Sequence, residues 1–156
     1  AMNYLEQLAE LKIHSIEQPV KPEFINDLAE LCRKTPLPIA LDESLIGITD
    51  VTKKLSLLQT IQPQYIILKP SLVGGFNGTD EWIEIAENLN IDWWITSALE
   101  SNIGLNAIAQ YTSTKEIDKP QGLGTGSLFT NNIESPLEIK REELWFDTDK
   151  NWHINL

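Results

Sequence analysis

Short apolar runs recur along this 156-residue chain, and each is closed by a charged or hydroxylated side chain. The run 13–16 closes at Glu17 and the run 38–41 at Asp42 and Glu43. The run 65–68 closes at Lys69, and 93–95 closes at Thr96 and Ser97 with Glu100 just beyond. The closing residues are about 25–30 positions apart, the length of one strand, one loop and one helix. In a parallel sheet with helical crossovers such endpoints all fall at one rim, where these folds place their chemistry. Almost wholly apolar strand runs, such as 65–68, predict a sheet covered on both faces and hence an α/β architecture.

The intervening segments fit that alternation. A helix is expected over 3–11 through Tyr4, Leu5, Leu8, Ala9 and Leu11, then a strand over 13–17, broken off by Pro19 and Pro22. A helix over 23–33 turns Phe24, Leu28 and Leu31 toward a core. After a strand at 38–41, Asp50 caps a helix over 51–59. The strand 65–69 stops at Pro70, and Gly74, Gly75 and Gly78 read as a flexible loop. Thr79 or Asp80 then caps a helix to 89 carrying Trp82, Ile85, Ala86 and Leu89 on one face. Strand 92–96, helix 103–112 and a short strand at Gly122-Leu123 complete the series. Five strands do not close a barrel of eight, so the expected fold is a partial TIM barrel with two unpaired edges. Those edges predict self-association, or pairing with a missing N-terminal half. A doubly wound sheet is the plainer alternative, but it gathers its site at one reversal of strand order rather than at nearly every strand end.

Residues 1–132 read as the barrel part and 133–156 as a separate segment. There Leu137, Ile139, Leu144, Trp145, Phe146, Trp152 and Ile154 stand among charges, with a turn at 147–151, as in a hairpin that packs on a second domain. Ala1-Met2 reads as an expression scar or an internal cut. Nothing precedes the first helix from which it could cross over, so residues upstream are expected.

Charge narrows the partners. With 23 acidic and 12 basic residues the net charge is −11, and no basic stripe stands out, which speaks against nucleic acid and anionic membrane. The single cysteine, Cys32, excludes an internal disulfide and suits a reducing compartment; it lies in a helical pattern and reads as packing. No apolar stretch reaches membrane-spanning length and no signal peptide opens the chain, so cytoplasm is the expectation.

Glu17 and Asp42 end neighbouring strands, which lie about 4.8 Å apart, so their carboxylates can converge on one divalent ion such as Mg²⁺. Glu43 follows Asp42 directly; strand alternation points it away, as an acceptor behind the site facing Lys69. Equally, Glu17 and Asp42 can be ordinary strand-terminal acids. Lys69 can form a plain ion pair, or serve as a base or as a cation that steadies developing negative charge; nearby carboxylates favour the last. Ser97, Glu100, Ser101, Asn102 and Gly104 lead into a helix whose amides could hold an anion, although Ser101 or Asn102 also suits a simple cap. Gly122, Gly124 and Gly126, with Thr125, offer tight backbone whose amides could contact a carboxylate. They are no nucleotide fingerprint, lacking the flanking strand and helix. His14 and His153 stand alone, and the five tryptophans read as packing, with Trp93 and Trp94 on opposite strand faces.

The ordered set Ile16-Glu17-Gln18-Pro19, Leu41-Asp42-Glu43-Ser44, Leu68-Lys69-Pro70 and Gly122-Leu123-Gly124-Thr125-Gly126 resembles the C-terminal part of the enolase superfamily, in its muconate-lactonizing subgroup. The stretch from Ser97 to Gly104 is similar to the segment after the seventh strand in the branch serving menaquinone biosynthesis. The likeness spans about 13–130 of the chain. It implies strands 4 to 8 of a (β/α)8-type barrel, with the segment from 133 returning to a capping domain. It further implies Glu17 and Asp42 as the second and third Mg²⁺ ligands (Mn²⁺ being a possible substitute) and Lys69 as the sixth-strand lysine that stabilises an enediolate. Ser97 and the Ser101–Gly104 region become contacts to a small-molecule carboxylate substrate. The implied activity is that of a carbon–oxygen lyase: proton abstraction α to a carboxylate, then loss of water.

The departures are as specific. The family's second-strand Lys-x-Lys and third-strand aspartate ligand have no match here, so the segment alone is expected to be inactive and to bind Mg²⁺ weakly. Dipeptide epimerases usually carry Asp-x-Asp after the eighth strand, where this chain has Gly124-Thr125-Gly126-Ser127. Muconate cycloisomerase, N-acylamino acid racemase and a non-catalytic interaction domain on a degenerate barrel remain alternatives.

Overall fold

The computed structural model describes residues 2–153. It divides into two compact units, Ala1–Trp94 and Ile95–Leu156.

The first unit opens with α1 (Met2–Ala9), then β1 (Ile16–Glu17), α2 (Ile25–Lys34), β2 (Ile39–Leu41), a 3₁₀ turn at Glu43–Leu45, α3 (Val51–Ile61), β3 (Tyr65–Leu68), α4 (Gly75–Asn88) and β4 (Asp92–Ile95). The strands form one sheet in chain order, β1-β2-β3-β4. β1 pairs parallel with β2 (Glu17 opposite Ala40) and β2 with β3 (Leu41 opposite Ile66). Each strand is followed by a helix, and α2 packs on α3 and α3 on α4. Order without reversal is the winding of barrel-type sheets, and these four strands contain no switch point of the doubly wound kind. The core is the layer between sheet and helices: Leu28, Ile39, Leu41, Leu58, Ile61, Ile66, Leu68, Trp82 and Ala86 are all sealed from water.

Trp93 is buried and donates its indole N–H to Glu87 of α4 at 3.2 Å. Trp94 turns the other way and meets Tyr65 at 5.5 Å between ring centroids, with His14 lying 4.8 Å from the Tyr65 ring. The tryptophan pair thus alternates across β4 as the strand period requires. Asp50 caps α3 as expected, accepting from the Lys53 amide at 3.0 Å.

Several expectations are corrected. The helix assigned to begin at Thr79 or Asp80 begins at Gly75, and the three glycines are no flexible loop. Gly74 (φ 104°) and Gly75 (φ 72°) take left-handed backbone to turn the chain from β3 into α4. A Cβ on Gly78 would stand 2.4 Å from the Val73 carbonyl oxygen. Thr79 bonds back to the Gly75 carbonyl at 2.8 Å from inside the helix. Phe24, Tyr4 and Leu11, assigned to apolar faces, are exposed; only Leu5 of α1 is buried. The short strand at Gly122-Leu123 is a single parallel bridge between Gly122 and Thr96. Among the described residues the parallel sheet therefore has four strands where five were expected.

Lys54 of α3 is the feature sequence reading passes over. It is sealed from water, donating to the Gly78 carbonyl at 3.0 Å and to Glu81 at 2.7 Å, with its ammonium 5.3 Å from the Trp82 ring centroid. The stem of a lysine fills core volume while its head finds polar partners.

In the second unit α5 (Asn102–Ser113) precedes a 3₁₀ turn at Thr125–Ser127 and an antiparallel hairpin of β5 (Leu137–Lys140) and β6 (Glu143–Phe146). The hairpin reverses at Arg141 (φ 59°), ahead of the turn expected at 147–151, where Lys150 N–H does bond Asp147 at 3.2 Å. Ile154 lies outside the described residues. No helix among the described residues is long and apolar enough to cross a membrane.

Two stability predictions follow from the buried lysine and its glycine. Lys54→Ala is expected to cost about 2–4 kcal/mol by urea denaturation, through lost packing and an orphaned carbonyl. Lys54→Met, which refills the volume and leaves Glu81 to solvent, should cost clearly less. Gly78→Ala is expected to destabilise by about 2 kcal/mol or more, because the Val73 backbone must shift to admit the methyl.

Candidate metal centre

The parallel register delivers Glu17, at the end of β1, Asp42, one residue past β2, and Lys69, one residue past β3, to the same rim. Glu17, Asp42 and Glu43 each present a carboxylate oxygen within 4.8 Å of the others. Glu43 is therefore not turned away: β2 ends at Leu41, Asp42 takes φ −127°, ψ −78°, and the following 3₁₀ turn swings Glu43 back beside its neighbour. Alternation holds only while the chain stays a strand. Asp42 is buried, and its Oδ2 accepts a charge-assisted bond from the Lys69 ammonium; Lys69 thus pairs with Asp42, not with Glu43 as expected.

Three carboxylates facing one ammonium leave an excess of negative charge. Glu17 shows it: its carboxyl is pushed up from 4.5 to about 6, first by burial, then by its hydrogen bond with Asp42 and by the Asp42 charge. The Lys69 charge pulls the other way, and Glu43 adds to the rise. Such a carboxylate gives up its proton less readily than an ordinary glutamate. The donor set is oxygen only, which suits Mg²⁺ or Mn²⁺. Ligand oxygens on an octahedral Mg²⁺ lie about 3.0 Å apart when adjacent and about 4.2 Å when opposite. The oxygens of the trio, within 4.8 Å of one another, lie close to that span. Beside it a cavity of about 440 Å³ is lined by Glu17, Gln18, Pro19, Val20, Lys21, Pro22 and Glu43.

Gln18 was missed as a site residue. Its side-chain oxygen accepts from the amides of Asp42 (3.1 Å) and Ser44 (3.3 Å), and its nitrogen donates to Ser44 Oγ and the Val20 carbonyl, both at 2.8 Å. An uncharged residue beside a glutamate gives no charge signal, so spacing could not single it out.

The remaining candidates belong to the second unit. Ser97 is buried, its hydroxyl 2.6 Å from that of Thr125, which in turn donates to the Ala98 carbonyl at 3.0 Å. A Cβ on Gly122 would meet Thr96 Oγ1 at 2.3 Å, so only glycine admits this approach. Ser101 holds the N-cap position of α5 without a side-chain cap bond. The first helical amide, that of Asn102, instead donates to Asn132 Oδ1 at 2.8 Å. Asn102 is further committed to the Ile133 carbonyl at 2.6 Å and to Asn132 at 3.1 Å. Gly104 lies against Glu100, and space is open around Gly124. Of the amides at this helix start, that of Asn102 is taken by Asn132.

Residues 1–145 match the family model described as enolase C-terminal domain-like. An o-succinylbenzoate synthase from Desulfotalea psychrophila is 52% identical over 135 residues, 86% of this chain and 36% of that protein. The crystal structure of MenC from the same organism superposes with a TM-score of 0.88 at 50% identity, over 92% of this chain and 40% of the other. Muconate lactonizing enzyme from Pseudomonas putida gives 0.79 at 25% identity, over 91% and 39%. The chain thus spans well under half the length of the proteins it matches. A sheet wound in chain order, carboxylates at its C-terminal rim and these likenesses together place the chain in the enolase superfamily, in the part that matches the superfamily's C-terminal domain.

Proposed function

We propose that this chain is the C-terminal part of the barrel of an o-succinylbenzoate synthase of menaquinone biosynthesis, a cytoplasmic carbon–oxygen lyase. The observation that carries the reading is the oxygen-only trio with Lys69 bonded to its buried member, in a chain 52% identical to a protein of that name. In this reading β1 to β4 stand as strands 4 to 7, and the Gly122 bridge marks strand 8. Residues 1–132 form barrel, and 133–156 return to a capping domain. The open edge beside β1 receives the upstream strands, or a second copy when they are absent.

Glu17 and Asp42 would hold Mg²⁺ or Mn²⁺, with Glu43 completing the negative field around it. When bound, the cation supplies Lewis-acid stabilisation of negative charge developing on a substrate carboxylate. Asp42 fixes Lys69 at the same mouth, where its ammonium adds a second positive charge over the developing anion. Ser97, Glu100, Ser101, Asn102, Gly104, Gly124 and Thr125 form the substrate side, with Ser97 and Thr125 as a linked hydroxyl pair. The lysine that takes the α-proton and one further carboxylate ligand lie, in this proposal, outside these 156 residues.

The isolated chain with Mg²⁺ is therefore expected to leave succinylhydroxycyclohexadiene carboxylate unchanged, whereas the longer protein containing it dehydrates this acid and does not epimerise dipeptides. Ultraviolet detection of the aromatic product by the isolated chain, or dipeptide epimerisation by the longer protein, would overturn the assignment.

A pH dependence follows from Glu17. Its raised carboxyl means the folded, metal-free chain binds a proton more tightly than the unfolded chain. The resulting contribution to stability is full below 4.5 and is lost as pH rises through about 6. Protons compete with the cation, so Mn²⁺ affinity should be full above about 6 and fall below it. In a calorimetric Mn²⁺ titration Glu17→Gln is expected to weaken binding about tenfold and to flatten this pH profile.

A further inference from the structure

We propose that Gln18 is a positioning residue for the carboxylate cluster: its amide, tied to both Asp42 and Ser44, locks the turn after β2 so that Asp42 and Glu43 face Glu17. The inference rests on the reading of that trio as a divalent-cation site.

Four side-chain hydrogen bonds carry it. Gln18 Oε1 accepts from the Asp42 and Ser44 amides, which bracket Glu43, while Nε2 holds Ser44 Oγ and the Val20 carbonyl. Two amide donors on one atom and a carbonyl acceptor on the other fix which way the amide faces. The Gln18 main-chain N–H also bonds the Ala40 carbonyl at 2.9 Å, extending the β1–β2 ladder one step past Glu17. Gln18 itself sits at φ 37°, left-handed backbone that a residue with a Cβ adopts only when its surroundings hold it there. That backbone lets a residue adjacent to Glu17 direct its side chain across to the next strand's turn. The segment carrying one carboxylate is thereby cross-linked to the segment carrying the other two. Asp42 and Glu43 repel each other and Glu17, and without the clamp the 3₁₀ turn is free to relax by parting them. Gln18 reaches the cation only through these neighbours, which distinguishes it from a ligand.

The test is Mn²⁺ binding to the chain, followed by the electron paramagnetic resonance of free Mn²⁺, with folding checked by circular dichroism at the same temperature. Gln18→Met keeps side-chain length and removes all four bonds; it is expected to bind Mn²⁺ at least about tenfold more weakly while folded. Ile61→Val, a core trim in α3 remote in sequence, serves as the control: it should lower the melting midpoint and leave affinity unchanged. If Gln18→Met does not fold, Gln18→Asn, whose amide stops one methylene short, should show the same loss. A folded Gln18 variant that binds within threefold of the parent chain reduces Gln18 to a structural residue and overturns the proposal. No binding by the unsubstituted chain at millimolar Mn²⁺ removes the cation site itself, and this inference with it.

Discussion

Parallel pairing in chain order is the constraint on which the site depends. Because β1, β2 and β3 run the same way, the residue after each strand emerges at the same end. Only two or three residues of ladder are needed for this: β1 is two residues long, and the amides of Ile16, its first residue, and Gln18, just past its end, bond to the β2 segment at Pro38 and Ala40. The helices hold the register by burying one face of every strand, since a one-residue slip would exchange Ile39 and Leu41 for the opposite face.

What arrives at that rim is electrostatically incomplete. Lys69 answers one carboxylate, the buried Asp42, and Glu17 ionises less readily than an ordinary glutamate, through burial first and then through Asp42 beside it. The fold stores unfavourable charge at this end and compensates with hydrogen bonds that leave the carboxylate oxygens available. Gln18 contributes four of these, all to backbone or hydroxyl groups. Lys54 shows the opposite solution within the same unit, a buried cation given a carbonyl, a carboxylate and an aromatic face. One charge cluster is satisfied and closed; the other is open to a ligand.

The strands and the rim were legible because apolar runs ending in Glu17, Asp42 and Lys69 recur at the spacing of βα units. The order of the helices was legible for the same reason. Where reading failed, a local rule was applied past its range. Alternation turned Glu43 away, although β2 had already ended. Glycine was taken for flexibility at 74, 75 and 78, where it serves left-handed turning and close approach. Lys54 was passed over, because a helix pattern does not record which lysine stem fills a core. Ser101 or Asn102 was weighed as the helix cap; Ser101 holds that position but makes no side-chain cap bond, and the side chain that does take the first amide, Asn132, lies too far along the chain for any window of sequence to join the two.

That last distance has a temporal side. The amino end of α5 is closed by a side chain 30 residues downstream. During synthesis the helix emerges from the ribosome with its leading amide still hydrated, and the Asn132 latch reaches it only after the glycine-rich turn and the following loop have been made. Maturation of this segment is therefore paced by elongation rather than by helix propagation, which is orders of magnitude faster.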